Sequence, residues 1–178
     1  MAPSKTLNYT NVAVADESSI SNKTLDRKYA YGPRGMPAVV IREKRRSERW
    51  SLLPAYTIEG FLPDPLITKG SINGDLFVSW LLYVVLRHMN RYPDDHSVLI
   101  IDNCSTHRID EVRNACDLAG VRLLYLPPYS PDFNPIESAF HCVKQWMRRN
   151  RDFAPKFDDP EIDEKFNAFI LAASEGQI

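Results

Sequence analysis

The nine residues Tyr129–Glu137, with the sequence YSPDFNPIE, join a Pro-rich loop to the start of an amphipathic helix. Asn134 is the predicted helix cap, Pro135 suits the first helical position, and Glu137 falls in the first turn. The predicted buried face of this helix consists of residues at helical spacing, namely Ile136, Phe140, Val143 and Met147. A carboxylate in this place can hold a metal ion, so Glu137 is the first candidate site residue.

Two further acids stand where predicted strands end. Asp102 follows the apolar run Ser97–Ile101, and 34 residues separate it from Glu137. Asp16 follows the run Asn11–Ala15, in which Val and Ala alternate. Ligand sites in α/β sheets cluster beyond the carboxyl ends of strands, so the acids are expected to converge.

Three acids in one cleft repel one another unless a cation compensates their charge. Carboxylate oxygens suit Mg²⁺ or Mn²⁺, and a pair of such ions is the usual means of phosphoryl transfer, in which a water or a 3′-hydroxyl attacks. The spacing alone is weak support, because 14 Asp and 9 Glu among 178 residues give about 0.7 Asp-to-Glu pair by chance at any chosen separation.

Each acid also has a purely structural interpretation. Asp16 can close a turn, and Asp102 with Asn103 can form an Asx turn. Glu137 lies three residues after Asn134, where a capping-box glutamate belongs. The residues by themselves leave both interpretations open.

Periodicity and turn residues predict the order strand, two or three antiparallel strands, helix, strand, helix, strand, helix, helix. The predicted strands and helices besides those above are strands at Ala38–Ile41, Trp50–Ile58, Leu66–Lys69 and Val121–Leu126, and helices from Asn73 to about Asn90, from Ile109 to Gly120 and from about Asp159 onward. Residues Ser18–Pro37 predict a loop that can hold a hairpin. This order requires a mixed sheet with helices on its faces, and the fold that we predict is α/β, with a mixed five-stranded sheet flanked by helices. It fits a ribonuclease H-like fold and other mixed α/β domains as well.

Composition predicts one compact domain within the cell. The chain has 178 residues, 44% of them hydrophobic, and shows neither an internal repeat nor an apolar run long enough to cross a membrane. Its three cysteines lack a framework spacing, which favours a reducing compartment. We expect a disordered segment at residues 1–10, the domain itself at 11–155 and a C-terminal helix within 156–178.

Charge argues against a nucleic-acid interface that spans the whole surface, because the formal net charge is −1. A local interface remains open at 42–49, REKRRSER, where five basic residues outnumber two acidic ones. The candidates for DNA backbone contact are Arg42, Lys44, Arg45 and Arg46. A solvated turn between strands and a nuclear targeting signal are the alternatives.

Three blocks of the sequence resemble the catalytic domain of mariner-type transposases, members of the DDE superfamily of endonucleases. They are VAVADESS around Asp16, VLIIDNCSTH from Val98 to His107, and LLYLPPYSPDFNPIESAFHCVKQWMRR from Leu123 to Arg149. The third block is the most specific, because the Pro-Pro-Tyr-Ser-Pro turn, the Asn-Pro helix start and the glutamate occur together. It departs from the family pattern in Phe133, where leucine is common.

The resemblance implies that Asp16, Asp102 and Glu137 are the catalytic, metal-binding triad for two Mg²⁺ or Mn²⁺ ions, with no small-molecule cofactor. It places Asn103 and His107 beside the triad or against DNA. DNA is the implied partner, a homodimer follows by analogy because the family works on DNA ends in pairs, and a eukaryotic source implies the nucleus.

Family members generally carry a helix-turn-helix region before the catalytic domain, and only about ten residues precede the first predicted strand here. The implied function is metal-dependent DNA strand cleavage and strand transfer by a catalytic domain that lacks its N-terminal DNA-binding region. The alternative is a catalytically silent, transposase-derived domain that binds DNA or protein. A ribonuclease H-like nuclease acting on RNA hybrids or DNA junctions is a further rival, although it should lack the YSPDFNPIE block.

Overall fold

A mixed five-stranded sheet is the centre of the computed structural model of the protein. The structure describes residues 7–26, 31–39, 48–103, 110–128, 130–155 and 159–175. The strands of these ranges are β1 (Val12–Ala15), β2 (Ser18–Ser21), β3 (Arg49–Leu53), β4 (Ala55–Thr57), β5 (Gly60–Phe61), β6 (Leu66–Lys69), β7 (Val98–Ile101) and β8 (Arg122–Tyr125). The central sheet has the order β5-β4-β1-β7-β8, and β2, β3 and β6 form a second sheet in the order β2-β3-β6. The predicted five-stranded mixed sheet is therefore confirmed.

Four α-helices accompany the sheets. They are α1 (Gly74–Tyr83), α2 (Asp110–Ala119), α3 (Ile136–Arg149) and α4 (Ile162–Glu175). Asn73 caps α1 as predicted, since its side chain accepts a hydrogen bond from the Leu76 amide at 2.9 Å. Across the described ranges, no helix combines the length and the apolar character that a bilayer crossing requires.

The central sheet is covered on both faces, because its strands alternate between two apolar clusters. Ala13 and Ala15 of β1 pack with the buried side chains of α1 and α2. Val14, between them, packs with Ile136 and Phe140 of α3, and α4 belongs to the same cluster. The period of two along β1 thus assigns one helix pair to each face.

The two central strands are parallel and in register. Val12 of β1 is the Cα partner of Val98 in β7, and the pairing continues without a bulge to Ala15 and Ile101. Both strands therefore end at the same level of the sheet.

The chain passes from one sheet to the other twice at the same place. Ala15 pairs with Ala55 in the central sheet, whereas Ser18 pairs with Leu52 in the second sheet. Pro54 divides the predicted strand Trp50–Ile58 at this point, because proline has no N–H with which to continue the ladder. The segment Trp50–Ile58, predicted as a strand with an edge or a bulge at Pro54, is therefore two strands in different sheets, and β2 lies in the segment predicted as a loop that can hold a hairpin.

The second sheet is tied to α4. The Trp50 ring of β3 lies 4.2 Å from the Phe166 ring, centroid to centroid, and Lys69 of β6 pairs with Asp163 at 3.0 Å. The hydrogen bond from Lys69 to Asp163 raises the pKa of that lysine above its ordinary value. The C-terminal helix therefore packs against the body of the protein through both apolar and charged contacts.

One other expectation differs from the structure, and two more fall partly outside the described residues. The helix predicted to reach Asn90 ends at Tyr83 and continues as a 3-10 turn, Val85–His88. Of the strand predicted at Ala38–Ile41, the two described residues have no regular structure, and the rest lies outside the described residues. Of the predicted disordered segment, residues 1–6 also lie outside, while a 3-10 helix occupies Tyr9–Asn11.

Candidate active site

Asp16 and Asp102 follow the two central strands directly. Because Ala15 and Ile101 are Cα partners in a parallel pair, the next residue of each strand leaves the sheet at the same edge. Neighbouring strands lie about 4.8 Å apart, which sets the spacing of the two backbones there. Both acids are half-buried. The predicted meeting of these two strand ends is therefore present.

The carboxylate of Asp16 accepts hydrogen bonds from Glu17 and from Asn134. Its Oδ1 accepts a hydrogen bond from the Glu17 amide at 2.7 Å, and its Oδ2 accepts one from Nδ2 of Asn134, also at 2.7 Å. Asn134 stands just before α3, so this bond shows that Asp16 faces the N-terminal end of that helix. Two donors at such short distances stabilise the ionised carboxylate.

Asn134 does not cap α3 with its side chain, contrary to the prediction. The helix begins at Ile136 after Pro135, and its start shows no side-chain cap hydrogen bond. Asn134 contacts the first turn of the helix through its backbone, where its carbonyl accepts a hydrogen bond from the Glu137 amide at 3.2 Å. The side chain instead turns inward to Asp16, where it is 6% exposed.

Glu137 lies in the first turn of α3, where the positive end of the helix dipole favours a carboxylate. Its side chain is exposed, whereas Ile136 before it is fully buried and fixes the start of the helix. Lys144 lies two turns further on. Burial lowers the pKa of Lys144, and the charge of Glu137 acts in the opposite direction. The first turn thus presents a negative charge beside the end of β1.

The three predicted metal ligands do not form a coordination shell in this structure. Among the described residues, no three His, Cys, Asp or Glu side chains are grouped closely enough to hold a metal ion. The chemistry of the donors nevertheless fits Mg²⁺ or Mn²⁺, since Asp16 and Asp102 offer carboxylate oxygens at one sheet edge with the first turn of α3 beside them.

The other predicted site residues lie partly within and partly outside the described residues. Asn103 follows Asp102 and is half-buried. His107 lies outside the described residues, and so do Arg42, Lys44, Arg45 and Arg46.

An apolar pocket of about 600 Å³ lies on the α3 face of the sheet, and none of the three candidate acids is among its lining residues. Its floor includes Val14 and Ile100, each two residues before an acid, and its wall includes Phe133 and Pro135, on either side of Asn134. Phe133 remains 72% exposed at the rim. The pocket and the acids are therefore linked only through neighbouring residues of β1, β7 and the segment before α3.

Comparison with known proteins agrees with this geometry. A family model described as DDE superfamily endonuclease matches residues 11–158, which is most of the chain. The chain belongs to this superfamily. This match confirms the resemblance to the DDE superfamily that the three sequence blocks indicated.

The relatives of this DDE superfamily member differ in how much they share with it. An uncharacterized protein of Sinorhizobium fredii (strain NBRC 101917 / NGR234), y4pE/y4sA, is 32% identical over 76 residues, which are 42% of this chain and 53% of that protein. The fold is similar to that of the Mos1 transposase in its paired-end complex with the left transposon end, with a TM-score of 0.63 at 18% identity, over 94% of this chain and 56% of that one. It is also similar to the Mos1 mariner paired-end complex with Mn, with a TM-score of 0.58 at 20% identity, over 94% and 57% of the two chains. The ribonuclease H-like fold is thereby confirmed, and the chain spans about half the length of these proteins.

Proposed function

We propose that this chain is the catalytic domain of a transposase-type nuclease, which cuts DNA strands and joins them to new sites. Asp16, Asp102 and Glu137 would hold the divalent ions, and DNA would be the substrate. A homodimer acting on paired DNA ends, and a nuclear location in a eukaryotic source, are further predictions from the family resemblance.

One observation carries the proposal. The parallel, in-register pairing of β1 with β7 brings Asp16 and Asp102 to one edge, and Asn134 links that edge to the helix that bears Glu137. If the two acids served only to close turns, nothing would require them to follow neighbouring strands, because these strands are 86 residues apart in sequence. Like charges in one place are costly unless a cation compensates them.

The divalent ions, when bound, would activate the attacking oxygen and stabilise the leaving oxygen of the phosphodiester. The protein's own residues would supply the frame for this chemistry. Backbone pairing of β1 with β7 fixes the two strand ends that Asp16 and Asp102 follow, and the first turn of α3 offers the third carboxylate. A complete site would need all three carboxylates, including that of exposed Glu137, to gather around the ions.

A nicking assay tests the proposal. Purified protein with Mg²⁺ or Mn²⁺ is expected to convert supercoiled plasmid to the open circle, and chelation should stop the conversion. Asp102→Asn keeps the side-chain shape but removes the charge, so it should reduce nicking to background. Asp75→Asn, at an exposed position in the first turn of α1, is the matched control and should cut at the wild-type rate.

Equal nicking by the wild type and Asp102→Asn would remove the proposed mechanism. A wild-type protein that neither cuts DNA nor binds either ion would favour the silent, transposase-derived domain. Fluorescence anisotropy with a labelled DNA duplex would then test whether that domain binds DNA.

A further inference from the structure

We propose that Asn134 is a positioning residue of this site, which orients the Asp16 carboxylate and couples it to the helix that carries Glu137. This inference rests on the proposed function, since positioning matters only if Asp16 holds an ion. It concerns a residue whose sequence context indicates only a helix cap.

The contact is suited to orienting a metal ligand. Nδ2 of Asn134 reaches Oδ2 of Asp16 while the Glu17 amide reaches Oδ1, so the plane of the carboxylate is fixed from both sides. The donor is also neutral. A lysine or arginine in its place would neutralise Asp16 and repel a cation, whereas an amide leaves the full negative charge available.

The bond also connects two parts of the site that are far apart in sequence. Asn134 and Asp16 are separated by 118 positions, and Glu137 lies one helical turn beyond Asn134. The backbone carbonyl of Asn134 accepts the Glu137 amide at the same time. One residue therefore holds the end of β1 with its side chain and the first turn of α3 with its main chain.

A role in stability alone explains this residue poorly. Within the described part of the chain, Oδ1 of Asn134 is buried and has no hydrogen-bond partner. The bond to Asp16 fixes the orientation of the amide, because the flipped group would place two oxygens against each other. An unsatisfied buried acceptor costs stability. The residue is therefore better explained by the donor that it aims at Asp16.

The test measures Mn²⁺ binding by isothermal titration calorimetry rather than activity. Removing an outer partner of a metal ligand typically weakens binding about 10- to 100-fold. Asn134→Ala should weaken Mn²⁺ binding by that factor. Asn150→Ala, at the other end of α3, is the matched control, because it removes an amide that donates to the Trp146 carbonyl at 3.0 Å. The control should leave the Mn²⁺ Kd unchanged.

A second pair of variants tests the contact itself if Asn134→Ala does not fold. Asn134→Asp places two carboxylates at hydrogen-bond distance and should lower the Tm. Adding Asp16→Asn exchanges donor and acceptor, so the double variant should regain most of the lost Tm. A double variant whose loss equals the sum of the single losses would overturn the proposed contact.

The outcomes separate the inference from the function on which it rests. Loss of Mn²⁺ binding in Asp16→Asn with an unchanged Kd in Asn134→Ala would overturn the positioning role and leave the proposed function intact. No Mn²⁺ binding by the wild-type protein would remove both.

Discussion

Replacing Ile136 by alanine tests whether the buried start of α3 holds the site in place. Ile136 is 0% exposed, and its apolar cluster includes Val14 of β1 and Met147 at the far end of α3. A large-to-small change at a fully buried isoleucine costs about 2–5 kcal/mol, because transfer free energy is lost and a cavity remains. For a domain of this size each kcal/mol lowers the Tm by about 2–4 °C, so a loss of about 3 kcal/mol predicts a fall of roughly 6–12 °C.

The assay is thermal and urea denaturation of the wild type, Ile136→Ala and Ser138→Ala. Ser138 lies in the same turn but is exposed, so its replacement should change the free energy of unfolding by less than about 0.5 kcal/mol. Below its Tm, Ile136→Ala should also bind Mn²⁺ more weakly, because Glu137 is the next residue. A loss of stability below about 1 kcal/mol would refute the argument that this side chain anchors the helix.

Four further predictions concern the ion, the cysteines and the first helix. Mn²⁺ at about 100 times its Kd should stabilise the fold by about 2.7 kcal/mol and raise the Tm by roughly 5–11 °C, whereas an unchanged Tm at millimolar Mn²⁺ would contradict the metal site. Burial raises the pKa of the Cys116 thiol to about 12, so a short iodoacetamide pulse followed by peptide mapping should label exposed Cys142 and spare Cys116. Because this pKa in the folded protein lies above the ordinary value of 9.0, the contribution of the buried neutral thiol to the free energy of unfolding should be complete below pH 9 and be lost as the pH rises toward 12. Urea denaturation at several pH values measures this, and a free energy of unfolding that stays constant from pH 9 to pH 12 would contradict it. Asn73→Ala should lower stability by about 1 kcal/mol, with Asn73→Ser as the control that retains a cap for the Leu76 amide.

The sequence was sufficient to predict the features that depend on local pattern. The runs before Asp16 and Asp102 are apolar and end at a charge, so the ends of β1 and β7 were predicted to within a residue. The five-stranded sheet and its flanking helices followed from the order of periodic segments. Local pattern also placed Glu137 in the first turn of α3, as observed.

The missed features depend on partners distant in sequence. Asn134 has the local signature of a cap, and nothing near it indicates that its side chain turns to Asp16. Pro54 marks an interruption, but the sequence does not tell a bulge from a passage between two sheets. The helix predicted to run to about Asn90 ends at Tyr83, and after Val84 the chain tightens into the 3-10 turn Val85–His88. Each miss reflects a tertiary contact or backbone adjustment that no short window of sequence contains.

The in-register pairing of β1 with β7 determines which sequence changes in these strands the site can tolerate. Because amide and carbonyl groups set the level at which the two strands end, side chains along them can be exchanged without altering the separation of the acids. A single inserted residue in either strand has a different effect, since it rotates every later side chain to the opposite face. Related proteins are therefore expected to exchange one apolar residue for another in these strands, but to keep the lengths of both strands as long as the acids retain their function.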